Sequence, residues 1–386
     1  MPGPARADPE NAKNDLLMNS PRPTTVALYL AQYHPIPEND EWWGKGFTEW
    51  TNVAKAQPLF PGHQQPNLPA DLGFYDLRVP ETRQAQADMA RAYGVDAFCY
   101  YHYWFGNGRR LLQRPFDDVL ASGQPELPFM LCWANQTWSG IWHGLESKTL
   151  IEQTYPGPDD HRKHFECLLP AFRDPRYLRV NGCPVFMVFR PLELPDTRAT
   201  LDLWRAMARA AGLPGMHFLA QHWDPMWDPR PHGYDAFVNA SAFKRRRSWV
   251  PWSQPLTKLK NKLMDLRRRP TVVSYADLID HLVPDTASDL AIPCVLPNWD
   301  NTPRSSWKGL VMQGSTPELF GRQLDKALKR CAQSPAPDKL LFIKSWNEWA
   351  EGNHLEPGRQ HGHGYLEVLK SRLGGATAQT ASPDGP

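Results

Sequence analysis

Two glutamates three residues apart, Glu348 and Glu351, stand in the run Ser345-Trp346-Asn347-Glu348-Trp349-Ala350-Glu351-Gly352. On a helical turn, side chains at i and i+3 share a face, with Cβ atoms about 5–6 Å apart. Carboxylates that close repel each other, so one of them is expected to hold a proton near neutral pH. Making or breaking a glycosidic bond asks for such a pair: a proton donor for the leaving oxygen and a second carboxylate. Trp346 and Trp349 flank the pair and would lower the local dielectric. An ExxE alone is common on solvated helix faces, so its weight comes from its place among tryptophans just past an apolar run.

Other chemistries find less support. There is no GxSxG nucleophile elbow and no phosphate-binding P-loop. The six cysteines (Cys99, Cys132, Cys167, Cys183, Cys294 and Cys331) form no CxxC pair. No metal and no cofactor is therefore expected. His161 and His164 are spaced i, i+3 on a charged helical stretch, which reads as a solvated face. His361 and His363 lie in a Gly-rich loop. The net charge of +2 excludes a chain-wide electrostatic grip on nucleic acid.

Elements must carry the pair to a substrate. Eight apolar, strand-like runs are legible: 26–33, 95–104, 129–133, 185–189, 216–222, 236–243, 292–296 and 340–346. Helical patterns at 80–93, 159–172, 196–211, 274–282 and 316–331 alternate with them. Alternation of this kind implies a parallel sheet. Eight units in one chain fit a closed α/β (β/α)8 barrel of a single domain with long strand-to-helix loops. The first strand ends in Gln32-Tyr33-His34-Pro35 rather than the GxGxxG that a dinucleotide-binding sheet would want.

Polar and aromatic residues gather just past these strands, where barrels build their active sites. They are His34, Trp43 and Glu49 after the first, His102 and Tyr103 in the second, and Trp133 and Asn135 at the third. His222 ends the fifth, Trp299 and Asp300 follow the seventh, and Trp346, Asn347 and Trp349 surround the glutamates. All are expected to bind substrate. The chain has 16 Trp. An indole matches the flat apolar face of a pyranose, though any one Trp is as readily a core residue.

The barrel is expected over 25–373, with disordered ends at 1–24 and 374–386 and an insertion at 244–270. Residues 244–269 carry ten Lys or Arg against one acid, Asp265. A charge run of this kind usually only faces water. With Trp249 and Trp252 it also suits reversible contact with an anionic membrane. No secretory apolar segment precedes residue 25, so a cytoplasmic protein, peripheral to the inner membrane through this insertion, is expected.

At this point the sequence resembles a family. The segments that carry the resemblance are YLAQYHPIPENDEWWGKGFTEWTNVAKAQPLFPGHQQPNLPADLGFYDLR (29–78), AYGVDAFCYYHYWFGNGRRLLQRP (92–115), PFMLCWANQTW (128–138), DPRYLRVNGCPVFMVFRP (174–191), NWDNTPR (298–304) and SWNEWAEGNHLEP (345–357). They are similar to the WbsX-like family, related to glycoside hydrolase family 99. The resemblance implies a (β/α)8 barrel. It also implies that Glu348 acts as base on a substrate 2-hydroxyl, giving a 1,2-anhydro sugar, and that Glu351 protonates the leaving group. Ala350 stands where the family 99 stretch has His. The expected function is an endo-acting retaining glycoside hydrolase working on a bacterial surface polysaccharide or related glycan. The alternatives are a glycosyltransferase of O-antigen or capsule assembly and a glycan-binding protein without activity.

Overall fold

The computed structural model describes residues 22–140, 149–240, 268–336 and 339–374. The expected disordered ends lie outside these residues except at their inner edges. So does the basic insertion, apart from its last residues, 268–270.

Eight strands form the centre: β1 (Thr24–Tyr29), β2 (Ala97–Trp104), β3 (Phe129–Trp133), β4 (Cys183–Val188), β5 (His217–His222), β6 (Ala236–Asn239), β7 (Ala291–Val295) and β8 (Leu340–Ile343). Each pairs in parallel with its sequence neighbours, and β1 closes the ring by pairing with β8 as well as β2. Val26 lies opposite Phe342 on one side and Ala97 on the other. A strand covered on both faces reads as a continuous apolar run. β2 (AFCYYHYW) and β3 (FMLCW) are such runs, buried along their whole length.

Seven helices of eight residues or more lie among the described residues: α1 (Pro80–Ala92), α2 (Arg114–Ser122), α3 (Pro158–Arg173), α4 (Thr197–Ala210), α5 (Tyr275–Leu282), α6 (Pro317–Gln333) and α7 (Gly364–Gly374). β5 and β6 are joined by a single 3-10 turn, Arg230–His232, in place of a helix. In α6, Thr316 caps the start by accepting from the Leu319 amide, and Pro317 fills the first turn, where no amide hydrogen is needed. Its buried positions Phe320, Leu324, Ala327 and Cys331 recur at helical spacing. At Gly321 an added Cβ would come within 3.1 Å of Val368 on α7, so glycine lets the two helices approach closely. α2 and α7 escape the sequence pattern. α7 has glycine at both ends.

One sequence expectation is overturned. His161 and His164 do not face water: they are 5% and 0% exposed. α3 turns this side inward, and His164 meets the His102 ring edge to edge, Nε2 to Nε2 at 2.8 Å, while stacking on Trp104. Among the described residues, no helix is long and apolar enough to cross a membrane.

Candidate active site

Past Ile343 the chain leaves the β8 ladder and turns sharply. Asn347–Glu348 makes a short antiparallel pair with Asn353–His354, and Trp349–Glu351 forms one 3-10 turn between them. In 3-10 geometry residues i and i+3 eclipse, so Glu348 and Glu351 come to the same side. Both line one cavity of about 250 Å³ at the carboxyl ends of the strands. The turn ends at Gly352, whose φ of +58° favours glycine. A Cβ there would also sit 2.9 Å from the Cβ and 3.0 Å from the backbone nitrogen of Asp300. That approach lets the Asp300 amide donate to the Glu351 carbonyl at 2.6 Å.

The carboxylates are set among cations. Lys344, 3% exposed, donates from Nζ to Glu348 Oε2 at 2.5 Å and to the Tyr101 hydroxyl at 3.1 Å. Burial pulls the Lys344 ammonium down, but Glu348 and Glu351 outweigh it and its pKa lies above that of an ordinary lysine. Arg304 bridges two acids: Nη1 donates to Glu351 Oε1 at 2.6 Å and Nε to Glu49 Oε1 at 2.7 Å. Three carboxylates thus face two embedded cations, and one added proton balances the set. Glu351 is the group that takes it. Burial first, then the neighbouring Glu348 charge, push its pKa up to about 7, against the opposing pull of Arg304 and Lys344.

Of the residues expected to bind substrate, Trp43, Glu49, Tyr103 and Trp299 line this cavity together with the glutamates. Glu49 begins the short helix Glu49–Lys55, and Trp43 ends Pro37–Trp43, both in the long loop after β1. The others do not line it. Trp133 donates its indole hydrogen to the Trp104 carbonyl, and Asn135 is tied to Tyr155 and to the backbone of Arg190. His34 is buried with Nδ1 3.1 Å from the Ala31 carbonyl, and His102 is occupied with His164. His222 stacks on Trp227 to one side. Trp346, Asn347 and Trp349 are at most 1% exposed and lie beneath the turn rather than in the cavity. Trp349 stacks on His354 and donates to Glu356, while Asn347 exchanges hydrogen bonds with the backbone of Leu30. Asp300 points away from the cavity, its carboxylate enclosed by His63, Gln65 and Thr302.

Sequence reasoning passed over Lys344 and Arg304, which line the cavity together with Tyr101 and Trp138 of the strand-end cluster. Lys344 had a signal. A lone lysine inside the apolar run Leu340–Trp346 must be paired if buried, and Glu348 follows one helical turn later. Arg304 ends the motif 298–304, but nothing local pairs it with Glu351, 47 residues away.

A closed (β/α)8 barrel with paired carboxylates among cations at its strand ends belongs with the carbohydrate-active barrels. A family model described as "Glycosyltransferase WbsX" matches residues 25–369, and the chain belongs to that family. The resemblance carried by the sequence motifs thus holds across the barrel. The chain is 39% identical over 363 residues to "Uncharacterized protein WxcX" of Xanthomonas campestris pv. campestris, strain ATCC 33913, and equally to its counterpart in strain B100. Those matches cover 94% of this chain and 50% of each relative, so the chain spans about half the length of the curated relatives it matches. In fold it is similar to the GH99 endo-alpha-mannosidase from Bacteroides thetaiotaomicron. There the TM-score is 0.53 at 15% identity, covering 94% of this chain and 100% of the other. A "Glycoside hydrolase-like protein" gives a TM-score of 0.57 at 14% identity, covering 92% and 95%.

Proposed function

We propose that the chain breaks a glycosidic bond within a bacterial surface polysaccharide or related glycan, with Glu351 as proton donor and Glu348 as the second carboxylate. The observation that carries this reading is the shared cavity in which Glu348 and Glu351 stand together among Lys344 and Arg304, where burial and the Glu348 charge push the Glu351 carboxyl up to about 7. A carboxyl that is half protonated at neutral pH suits the leaving-group oxygen. Glu348, seated on Lys344, is placed to accept a proton from a sugar hydroxyl, and its catalytic role is that of base. The half-buried Trp138 and the wall residue Trp299 add indole rings to the lining, a surface that suits a pyranose ring. Arg304 and Glu49 fix the donor carboxyl from behind.

The family description favours a second reading, sugar transfer from an activated donor. Incubation with surface polysaccharide in heavy-oxygen water, followed by mass analysis, separates the two. Hydrolysis puts the label into shortened products without any added nucleotide sugar. Glu348→Gln and Glu351→Gln should each reduce that turnover by at least about a hundredfold, the low end of general acid–base catalysis. Turnover that appears only with a nucleotide-sugar donor, or that survives either substitution, would overturn the hydrolytic assignment.

A further inference from the structure

A second and larger cavity, about 580 Å³, opens on the other side of the wall that carries Glu351. The two cavities have no lining residue in common, yet they are one backbone apart. Trp299 lines the cleft while its neighbours Asn298 and Asp300 line the second cavity. Glu351 faces the cleft and Gly352 faces the second cavity. The hydrogen bond from the Asp300 amide to the Glu351 carbonyl joins the two strips of wall.

The chemistry of this second cavity is distinctive. Six amide side chains line it: Gln64, Gln65, Asn67, Asn298, Gln313 and Gln360. Its two carboxylates are already supplied with donors. Asp300 accepts from His63, Gln65 and Thr302, and Glu356 accepts from Tyr75, Gln86 and Trp349. Two amide oxygens are not supplied. Gln65 is 91% buried by its 9% exposure, and its Oε1 has no hydrogen-bond partner although its Nε2 donates to Asp300. Asn298 Oδ1 is likewise buried and without a partner. A buried acceptor left unpaired costs about 1–3 kcal/mol. Both oxygens are closed off from the cavity itself, so a ligand there is met by the remaining amide groups of the lining. Arg359 and His361 also line the cavity and would meet an inorganic anion, which makes sulfate the necessary control. A sugar brings several hydroxyl donors, and neutral amides answer its hydroxyls as donor and acceptor together. Phe60 and Tyr365 add ring surface to the lining, and the volume lies in the range of small-molecule sites, about 300–1,000 Å³.

We infer that this cavity is a second saccharide-binding site, separate from the cleft and independent of the two glutamates. It goes beyond the proposed reaction and rests on it only for the expectation that a glycan is the natural ligand. The probes are the methyl glycosides of mannose, glucose, galactose and N-acetylglucosamine, with sodium sulfate as the anion control, followed by saturation-transfer NMR on the full chain. At least one glycoside should bind the parent through a component that Asn298→Leu and Gln313→Trp each weaken at least tenfold. Asn298→Leu removes an amide from the lining, and Gln313→Trp fills the space from an exposed strand position. Trp299→Ala, on the cleft side, should leave that component in place, and sulfate should not compete. Thermal melts establish that each variant is folded. A full set of glycosides insensitive to both cavity substitutions, or displaced by sulfate, would overturn the inference even if the cleft proved hydrolytic. Conversely, cavity-dependent binding together with no label uptake from surface polysaccharide in heavy-oxygen water would retire the hydrolytic proposal and leave this site standing.

Discussion

Glu351 illustrates how position sets the chemistry of a residue. Its carboxyl is pushed up to about 7 by burial and by Glu348, while Arg304 and Lys344 hold it down. The protonated form, the one the proposed donor role requires, is therefore the major form below about pH 7, and its fraction falls roughly tenfold for each pH unit above that. Turnover should decline along an alkaline limb centred near 7. The carboxyl carbon of labelled Glu351 should titrate in NMR at the same pH. Arg304→Met removes an opposing cation, so both transitions should move to higher pH. A carboxyl that titrates near the ordinary glutamate value in the parent would contradict the assignment of donor.

At the scale of the element, the turn after β8 works because of what lies under it. Trp346 and Trp349 could have been sugar platforms as well as core residues, and the structure makes them core. Trp349 is clamped between His354, Trp50 and Glu356, so the backbone that presents the two glutamates rests on packed rings. Gly352 completes the turn. Alanine there would meet the Asp300 backbone and would also sit at a left-handed φ, a conformation costing about 1–2 kcal/mol for a residue with a Cβ. Gly212 has a similar positive φ, +85°, with nothing within 4 Å of an added Cβ. Gly352→Ala should therefore destabilise the chain by about 2–4 kcal/mol in urea denaturation, against about 1–2 kcal/mol for Gly212→Ala. Equal losses would mean that the contact with Asp300 yields without cost.

For the whole molecule, buried titrating groups set opposing pH dependences. Burial pushes His102 down to about 3 and His354 to about 4, and it lowers His34, His161 and His164 as well. An unfolded chain takes up these protons near pH 6.5, so the stability these histidines permit is present above that pH and is lost as pH falls toward 3. Burial raises Glu351 and Glu356, each to about 7. Their contribution is full below the unfolded value of about 4.5 and is lost as pH rises through 7. Five histidines outweigh two glutamates on the acid side, so Tm should be highest between about pH 6 and 7 and fall in both directions. A Tm that went on rising from pH 7 to pH 5 would show that the buried histidines do not govern acid stability.

The barrel and the turn that carries the two glutamates were legible in the amino-acid chain alone. Apolar runs separated by helical patterns are local signals, and eight of them in order leave few ways to bury every strand. The ExxE sits within four residues, so its spacing survives any fold that places it at a strand end. Which way each neighbouring side chain points is settled instead by packing in three dimensions. His102 and Trp133 follow the same strand-end rule as Tyr103, but they turn into the packing against the helices while Tyr103 turns into the cleft. Asp300 and Trp299 are adjacent in the chain and open onto different cavities. The pairing of Arg304 with Glu49 and Glu351 spans 255 and 47 residues. Such contacts depend on how the loops after β1, β7 and β8 pack together, because side-chain direction is fixed by neighbours distant in sequence rather than by residue type.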